Sequence, residues 1–184
     1  MDKRIAKSKR AIYKALVEEL KVKPYDEIKV EDLLSSSLVS RSTFYAHFSG
    51  KDDVLDSLLD TIFAHVFSSS LSEESTHDFS HSSIFDYAHL FTHLFYHFRD
   101  EKELLSAIIS SSGKNLFCEK MREKSAPLIE KSFEAKLFGN AALPEKLSLI
   151  RAKENFVVLI LYWFDHGLSE APEAMTNYFI EMNR

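Results

Sequence analysis

Glycine and proline are scarce in this chain, four of each in 184 residues. Long stretches hold neither, which leaves few turns to close hairpins or sandwiches and argues for an all-α protein. Cysteine is nearly absent. Cys118 alone excludes an internal disulfide framework and fits a reducing cytoplasm. No long hydrophobic run exists either: the longest, Phe156 to Phe164, is nine residues, against the roughly 18 to 20 needed to span a bilayer. The opening MDKRIAKSKRAIYKALVEEL lacks the unbroken apolar stretch of an export signal, so a cytoplasmic location is expected. No Gly-rich phosphate loop, GxSxG elbow or HExxH pair occurs, so neither an enzyme nor a bound cofactor is expected.

What is present is unevenly charged. The net charge is −5, yet residues 1 to 51 hold eleven Lys and Arg against seven Asp and Glu. The remaining residues hold twelve against twenty-one. A basic head on an acidic body concentrates attraction to phosphates in one region and repels nucleic acid elsewhere. Six of the bases (Lys3, Arg4, Lys7, Lys9, Arg10 and Lys14) fall within the first fourteen residues.

Helical spacing of Ile5, Ile12, Leu16 and Leu20 predicts a first helix over about Lys3 to Leu20, ended by Lys23-Pro24-Tyr25. The segment VEDLLSSSLVSRSTFYAHFSGKDDVL, residues 30 to 55, then reads as a short helix, a tight turn, a second short helix and the start of a third. Val30, Leu33 and Leu34 give the first of these an apolar side, Val39 sits in the turn, and Phe44 and Phe48 form an inward stripe on the next. Ser40, Arg41, Ser42, Thr43, Tyr45 and His47 are left facing outward, a set of groups suited to a DNA groove. A surface helix of some other helical protein would show a similar pattern. Asp52 and Asp53 favour the start of the following helix.

STFYAHF followed by Ser49-Gly50-Lys51-Asp52 and an apolar helix resembles the helix-turn-helix signature of TetR-type bacterial transcriptional regulators, over residues 3 to 63. The resemblance implies DNA contacts at Ser40, Arg41, Ser42, Thr43, Tyr45, His47 and Lys51, and a double-stranded operator with inverted half-sites. Thr43, Tyr45, His47 and Lys51 suit phosphate oxygens, whereas Arg41 and Ser42, with Ala46 as a thymine-methyl contact, suit base edges. One position departs from the family. A glycine usually precedes the residue matching Val39, because a positive φ is needed there; this chain has Leu38, which is expected to be strained. The resemblance divides the chain into a DNA-binding domain at 1–50 and a helical effector-binding and dimerisation domain at 51–184, joined by the helix from Lys51.

In the body, residues 68 to 83 are serine-rich and read as a loop. A helix over about Ser83 to Phe98 follows, with Ile84, Tyr87, Ala88, Phe91, Leu94, Phe95 and Phe98 inward. A short helix holds Leu104 to Ile109 and is broken by the serines and glycine at 110 to 113. The next spans about Leu116 to Phe138, interrupted or restarted at Pro127, and Gly139-Asn140 is a stop. Pro144 opens a long helix through Phe164, closed by Gly167, and Pro172 lies in the first turn of a last helix reaching Met182. FVVLILYWF is apolar on every side, so part of it needs a partner. The family dimerises through its last two helices, which implies a homodimer interface at Phe156, Val157, Ile160, Leu161, Phe164 and Tyr178. The ending WFDHGLSEAPEAMTNYFIEM also resembles a TetR subgroup that includes activators of dihydroxyacetone kinase genes.

Aromatic side chains are plentiful in the body. Phe91, Phe95, Phe98, Tyr162 and Trp163 are candidates for a small-molecule effector pocket of the kind the family uses, with Phe85, Tyr87 and Phe164 nearby; aromatic stripes at this spacing also make plain core. His89, His93 and His97 stand four apart, with His81 eight before the first. Consecutive members could share a zinc ion, but each step of four drifts by about 40°, and no second ligand cluster accompanies them. No metal is therefore expected, and a metal-binding helical protein stays a remote alternative. Cys118, with Lys114, Lys120 and Arg122 around it, shows no strong sign of a redox role. The resulting expectation is a repressor released by a small-molecule effector; the alternative is an activator or a regulator controlled by a partner protein.

Overall fold

The computed structural model describes residues 3–68 and 87–184. Of the expected loop at 68 to 83, Ser68 is the last residue of a helix, and the rest, with His81, Ile84 and Phe85, lies outside the described residues. Everything described is helical or turn, with no strand, and no helix among the described residues is long and apolar enough to cross a membrane. The helices are α1 (Lys3–Leu20), α2 (Val30–Ser37), α3 (Arg41–Tyr45), α4 (Lys51–Ser68), α5 (Tyr87–Asp100), α6 (Lys102–Ile109), α7 (Lys114–Glu134), α8 (Glu145–Asp165) and α9 (Pro172–Met182), with a 3-10 turn at Tyr25–Glu27.

Packing divides the chain into two compact units. The first comprises Met1–Leu59 and Glu101–Lys120, a cut different from the motif boundary at residue 50. Its core gathers Ile12 and Leu16 of α1, Leu33 of α2, Phe44, Phe48, Leu55 and, from α6, Leu105 and Ile108, all essentially buried. α1 packs on both α2 and α6. The break at residues 110 to 113 is also a docking point. Asp26 N–H donates to Ser112 Oγ at 3.3 Å, and a Cβ at Gly113 would come within 3.0 Å of the Tyr25 ring. Ion pairs Arg10–Glu101 (2.8 Å) and Lys120–Asp56 (3.1 Å) lie within the same unit.

The second unit, Asp60–Asp100 with Met121–Arg184, is built on aromatic contacts. α5 presents Phe91, Leu94, Phe95 and Phe98 inward, and α9 packs on both α5 and α8. Phe91 meets Phe179 at 4.6 Å between ring centroids, and Phe95 stands edge-on to Trp163 at 5.5 Å. A buried hydroxyl pair, Thr92 and Thr176 at 2.8 Å, joins α5 to α9.

Two boundaries differ from expectation. α7 runs through Pro127 without interruption. The proline forfeits one backbone hydrogen bond, but Met121, Leu128 and Ile129 are fully buried around it and hold the helix in register. α7 then stops at Glu134 rather than near Phe138. Lys136 takes the left-handed conformation (φ 61°), and Leu137 N–H reaches back to the Ser132 carbonyl at 3.0 Å, a closure that ends a helix without glycine. Pro144 and Pro172 stand where expected, at the starts of α8 and α9.

Leu38 does adopt the left-handed region, at φ 57° and ψ 22°, and is 92% exposed. For a residue with a Cβ this conformation costs about 1–2 kcal/mol. Little packing is lost if the side chain is removed, so Leu38→Gly should stabilise the protein by about 0.5–1 kcal/mol after the extra unfolded-state entropy of glycine. Leu38→Val should do the reverse. Urea denaturation midpoints of the two variants check this.

Candidate nucleic-acid interface

α2 begins with the Lys29 N–H donating to Asp32 Oδ2 at 2.7 Å, which satisfies an otherwise orphaned amide. Lys23 pairs with the same carboxylate at 2.6 Å. Lys23 and the Lys29 amide together hold the Asp32 carboxyl below its usual range. A lowered folded-state pKa means that this contribution is present at neutral pH and fades as acid titrates the group. The chain leaves α2 through Leu38 and enters α3 at Ser40. Ser40 Oγ accepts the Thr43 amide at 3.1 Å and lies 2.8 Å from Thr43 Oγ1 and 3.0 Å from Ser42 Oγ. Its first role is to cap a five-residue helix.

Phe44 and Phe48 fix that helix from below, both buried, with centroids 5.2 Å apart. Phe48 lies just past the helix end rather than within it. With those two inward, Ser40, Arg41, Ser42, Tyr45 and Ala46 are exposed, and Thr43 and His47 are half-buried on the same short segment. Tyr45 is 50% exposed and leans edge-on against Phe44. Arg4, Lys7, Arg10 and Lys14 are exposed along α1.

Two of the expected contact residues carry partners the sequence did not reveal. Arg41 is ion-paired with Glu31 of α2. Both side chains are largely exposed, so exchanging Glu31 for another acceptor costs little. Lys51 donates to the Tyr25 carbonyl and lies 4.1 Å from the centre of the Tyr25 ring. Tyr25 in turn donates to Asp52 Oδ1 at 2.8 Å; burial first, and then this carboxylate, push its phenol well above the ordinary range. Asp53 accepts from the Ser49 amide at 2.8 Å. Both aspartates thus bond specific groups as well as favouring the α4 dipole.

Comparison with known proteins gives two family matches. Residues 12–58 match the model described as "Bacterial regulatory proteins, tetR family" and residues 86–184 the model "Transcriptional regulator C-terminal region" of the same family. The chain belongs to the TetR family of transcriptional regulators.

Solved TetR-family folds resemble it over nearly their whole length. A TetR transcriptional regulator from Streptococcus agalactiae 2603V is 21% identical, with a TM-score of 0.63 over 100% of this chain and 97% of that one. The dihydroxyacetone kinase operon activator DhaS is 15% identical, with a TM-score of 0.61 over 96% and 93%. A TetR-family regulator from Syntrophomonas wolfei str. Goettingen is 20% identical, with a TM-score of 0.56 over 96% and 92%. No curated protein matches the chain.

The TetR body places the remaining expected residues as follows. Of the proposed pocket, Phe91, Phe95, Phe98 and Trp163 are fully buried and pack edge-on or tilted against one another or against Phe156 and Phe63. Tyr162 does not join them. It is 43% exposed on the outer side of α8, its hydroxyl 3.3 Å from Glu170, so the five residues do not share one site. Of the proposed interface, Phe156, Val157 and Ile160 are buried in the chain's own core. Leu161 and Phe164 are half-buried and Tyr178 is exposed. The outward residues of the run are Val158 and Tyr162, which with Leu159 of α8 and Tyr178, Glu181 and Met182 of α9 line a groove of about 410 Å³. Among the histidines, His89 is half-buried, whereas His93 and His97 are joined by His65 of α4, a residue with no local sequence signal.

The capping role of Ser40 is separable from DNA contact. Ser40→Ala should cost about 1 kcal/mol of stability, the usual loss for a capping hydroxyl. Ser42→Ala should stay within about 0.5 kcal/mol of the parent, and thermal denaturation of both variants tests the difference.

Proposed function

We propose that this TetR-family protein is a homodimeric, cytoplasmic, non-enzymatic regulator that inserts α3 into the major groove of an inverted-repeat operator and is released from it by a small-molecule effector, as a repressor. The observation that carries the DNA-binding part is the outward set on α3, held in place by Phe44 and Phe48 beneath it. Arg41 and Ser42 reach base edges, with Ala46 against a thymine methyl; Thr43, Tyr45, His47 and Lys51 hold phosphates, and Ser40 orders the helix start. The module that does this is residues 1–50, and residues 51–184 serve assembly and control.

Replacing Tyr45 by Phe should weaken binding to all duplexes alike. Arg41→Ala should also relax preference at one base position per half-site, an effect of about 1–3 kcal/mol at that position. Binding isotherms on operator variants at several salt concentrations separate the two outcomes; a uniform loss for Arg41→Ala would reverse the assignment.

The homodimer is proposed through the apolar groove of α8 and α9 rather than through the buried side of α8. A second copy meets Val158, Tyr162, Tyr178 and Met182 across a two-fold axis, which makes the interface self-complementary. The two heads then read half-sites about one helical turn or more apart. Val158→Asp should yield a folded monomer in sedimentation. Val157→Asp, which buries a charge in the protomer core, should lose the fold instead.

On control, the close packing of Phe91, Phe95, Phe98 and Trp163 favours a second reading, in which a partner protein acts on the body and the sign is activation. A thermal-shift screen of small molecules separates the two. Hits that also weaken operator binding by roughly five- to 150-fold, the usual coupling, support effector release. Capture of a specific protein partner with no such hits supports the second reading.

A further inference from the structure

Donors eight residues apart on one helix drift too far around it to meet one ion. The fold removes that objection by taking the third donor from another helix. His93 and His97, one turn apart on α5, approach with their Nε2 atoms 2.9 Å from each other. The His65 ring, from the last turn of α4, lies 5.3 Å from that of His93 and 4.8 Å from that of His97 between centroids. One nitrogen from each of the three lies within 4.8 Å of the others. His93 is buried, and the other two are half-buried.

We propose that His65, His93 and His97 form a binding site for one divalent transition-metal ion of the zinc class. Neighbouring nitrogens around a tetrahedral zinc stand about 3.4 Å apart, given bonds of about 2.0–2.1 Å. The His93 and His97 nitrogens, 2.9 Å apart, and the set as a whole, within 4.8 Å, bracket that spacing. Among the described residues the cluster is three imidazoles without a carboxylate, a set that selects borderline ions such as Zn²⁺, Co²⁺, Ni²⁺ and Cu²⁺ over Mg²⁺ or Ca²⁺, which take oxygen ligands. Of the four tetrahedral positions, the described residues fill three. Binding clamps the end of α4 to α5. Nothing in this site depends on whether the protein binds DNA.

The test uses the full chain without a histidine tag, stripped with a chelator and then dialysed. Zn²⁺ titrated in competition with a chromophoric chelator should bind at one equivalent per chain. Co²⁺ should give the intense visible absorption of a tetrahedral nitrogen-rich site, with no thiolate charge-transfer band. Saturation at about 100 times the dissociation constant should raise the melting temperature by roughly 5–10 °C. His65→Gln and His97→Gln, both at half-buried positions, should keep the helical circular dichroism and lose this binding; the spectrum of the parent protein stands without them. Absence of a one-equivalent site in the parent overturns the proposal, as does undiminished affinity in the double variant. A thiolate band would overturn it too, by placing the metal on Cys118.

Discussion

The burial of Phe44 is the contact on which a DNA-reading surface in this molecule depends. Five residues are too few to form a helix on their own, because the first turn fixes several dihedrals for a single hydrogen bond. α3 exists because Phe44 is driven into the core of α1, α2 and α4 residues, with Phe48 beside it and Ser40 closing the other end. Apolar burial supplies the order, and the polar residues between are free to be chosen for what they touch. This separation of labour along one short segment lets a family keep its scaffold while varying its contacts.

The first unit was legible in the sequence because its signals are local and mutually consistent. α1 begins and ends where its apolar spacing does. The turn before Val39 demanded a positive φ, and Leu38 adopts it although the side chain opposes it. Partners that come from afar left no such mark. Glu31 lies ten residues before Arg41, and Tyr25 lies twenty-six before Lys51; no periodicity links either pair. His65 could not be attached to His93 and His97 without knowing that the end of α4 lies against α5.

The second unit shows a different limit. A run such as Phe156 to Phe164 says that a helix is needed on both sides but carries no phase, since every residue is apolar and no face is distinguished. Val157 and Val158 are chemically identical neighbours, yet one is 2% exposed and the other 55%. Only the directions of α5 and α9 decide between them. The same holds for the aromatic residues: Tyr162 and Trp163 are adjacent and point into different surroundings, one to the groove and one to the core. Pro127 misled for the opposite reason, because a strong local signal was overridden by burial on either side of it.

Tyr25 has a consequence that reaches beyond its own turn. Its carbonyl and ring hold Lys51, its hydroxyl holds Asp52, and its ring carbons lie where Gly113 leaves room for them. The chain after α1, the first turn of α4 and the corner between α6 and α7 are therefore fastened to one aromatic side chain. Three segments far apart in sequence meet at a single residue. Bending between these segments would have to break the contacts of this one residue.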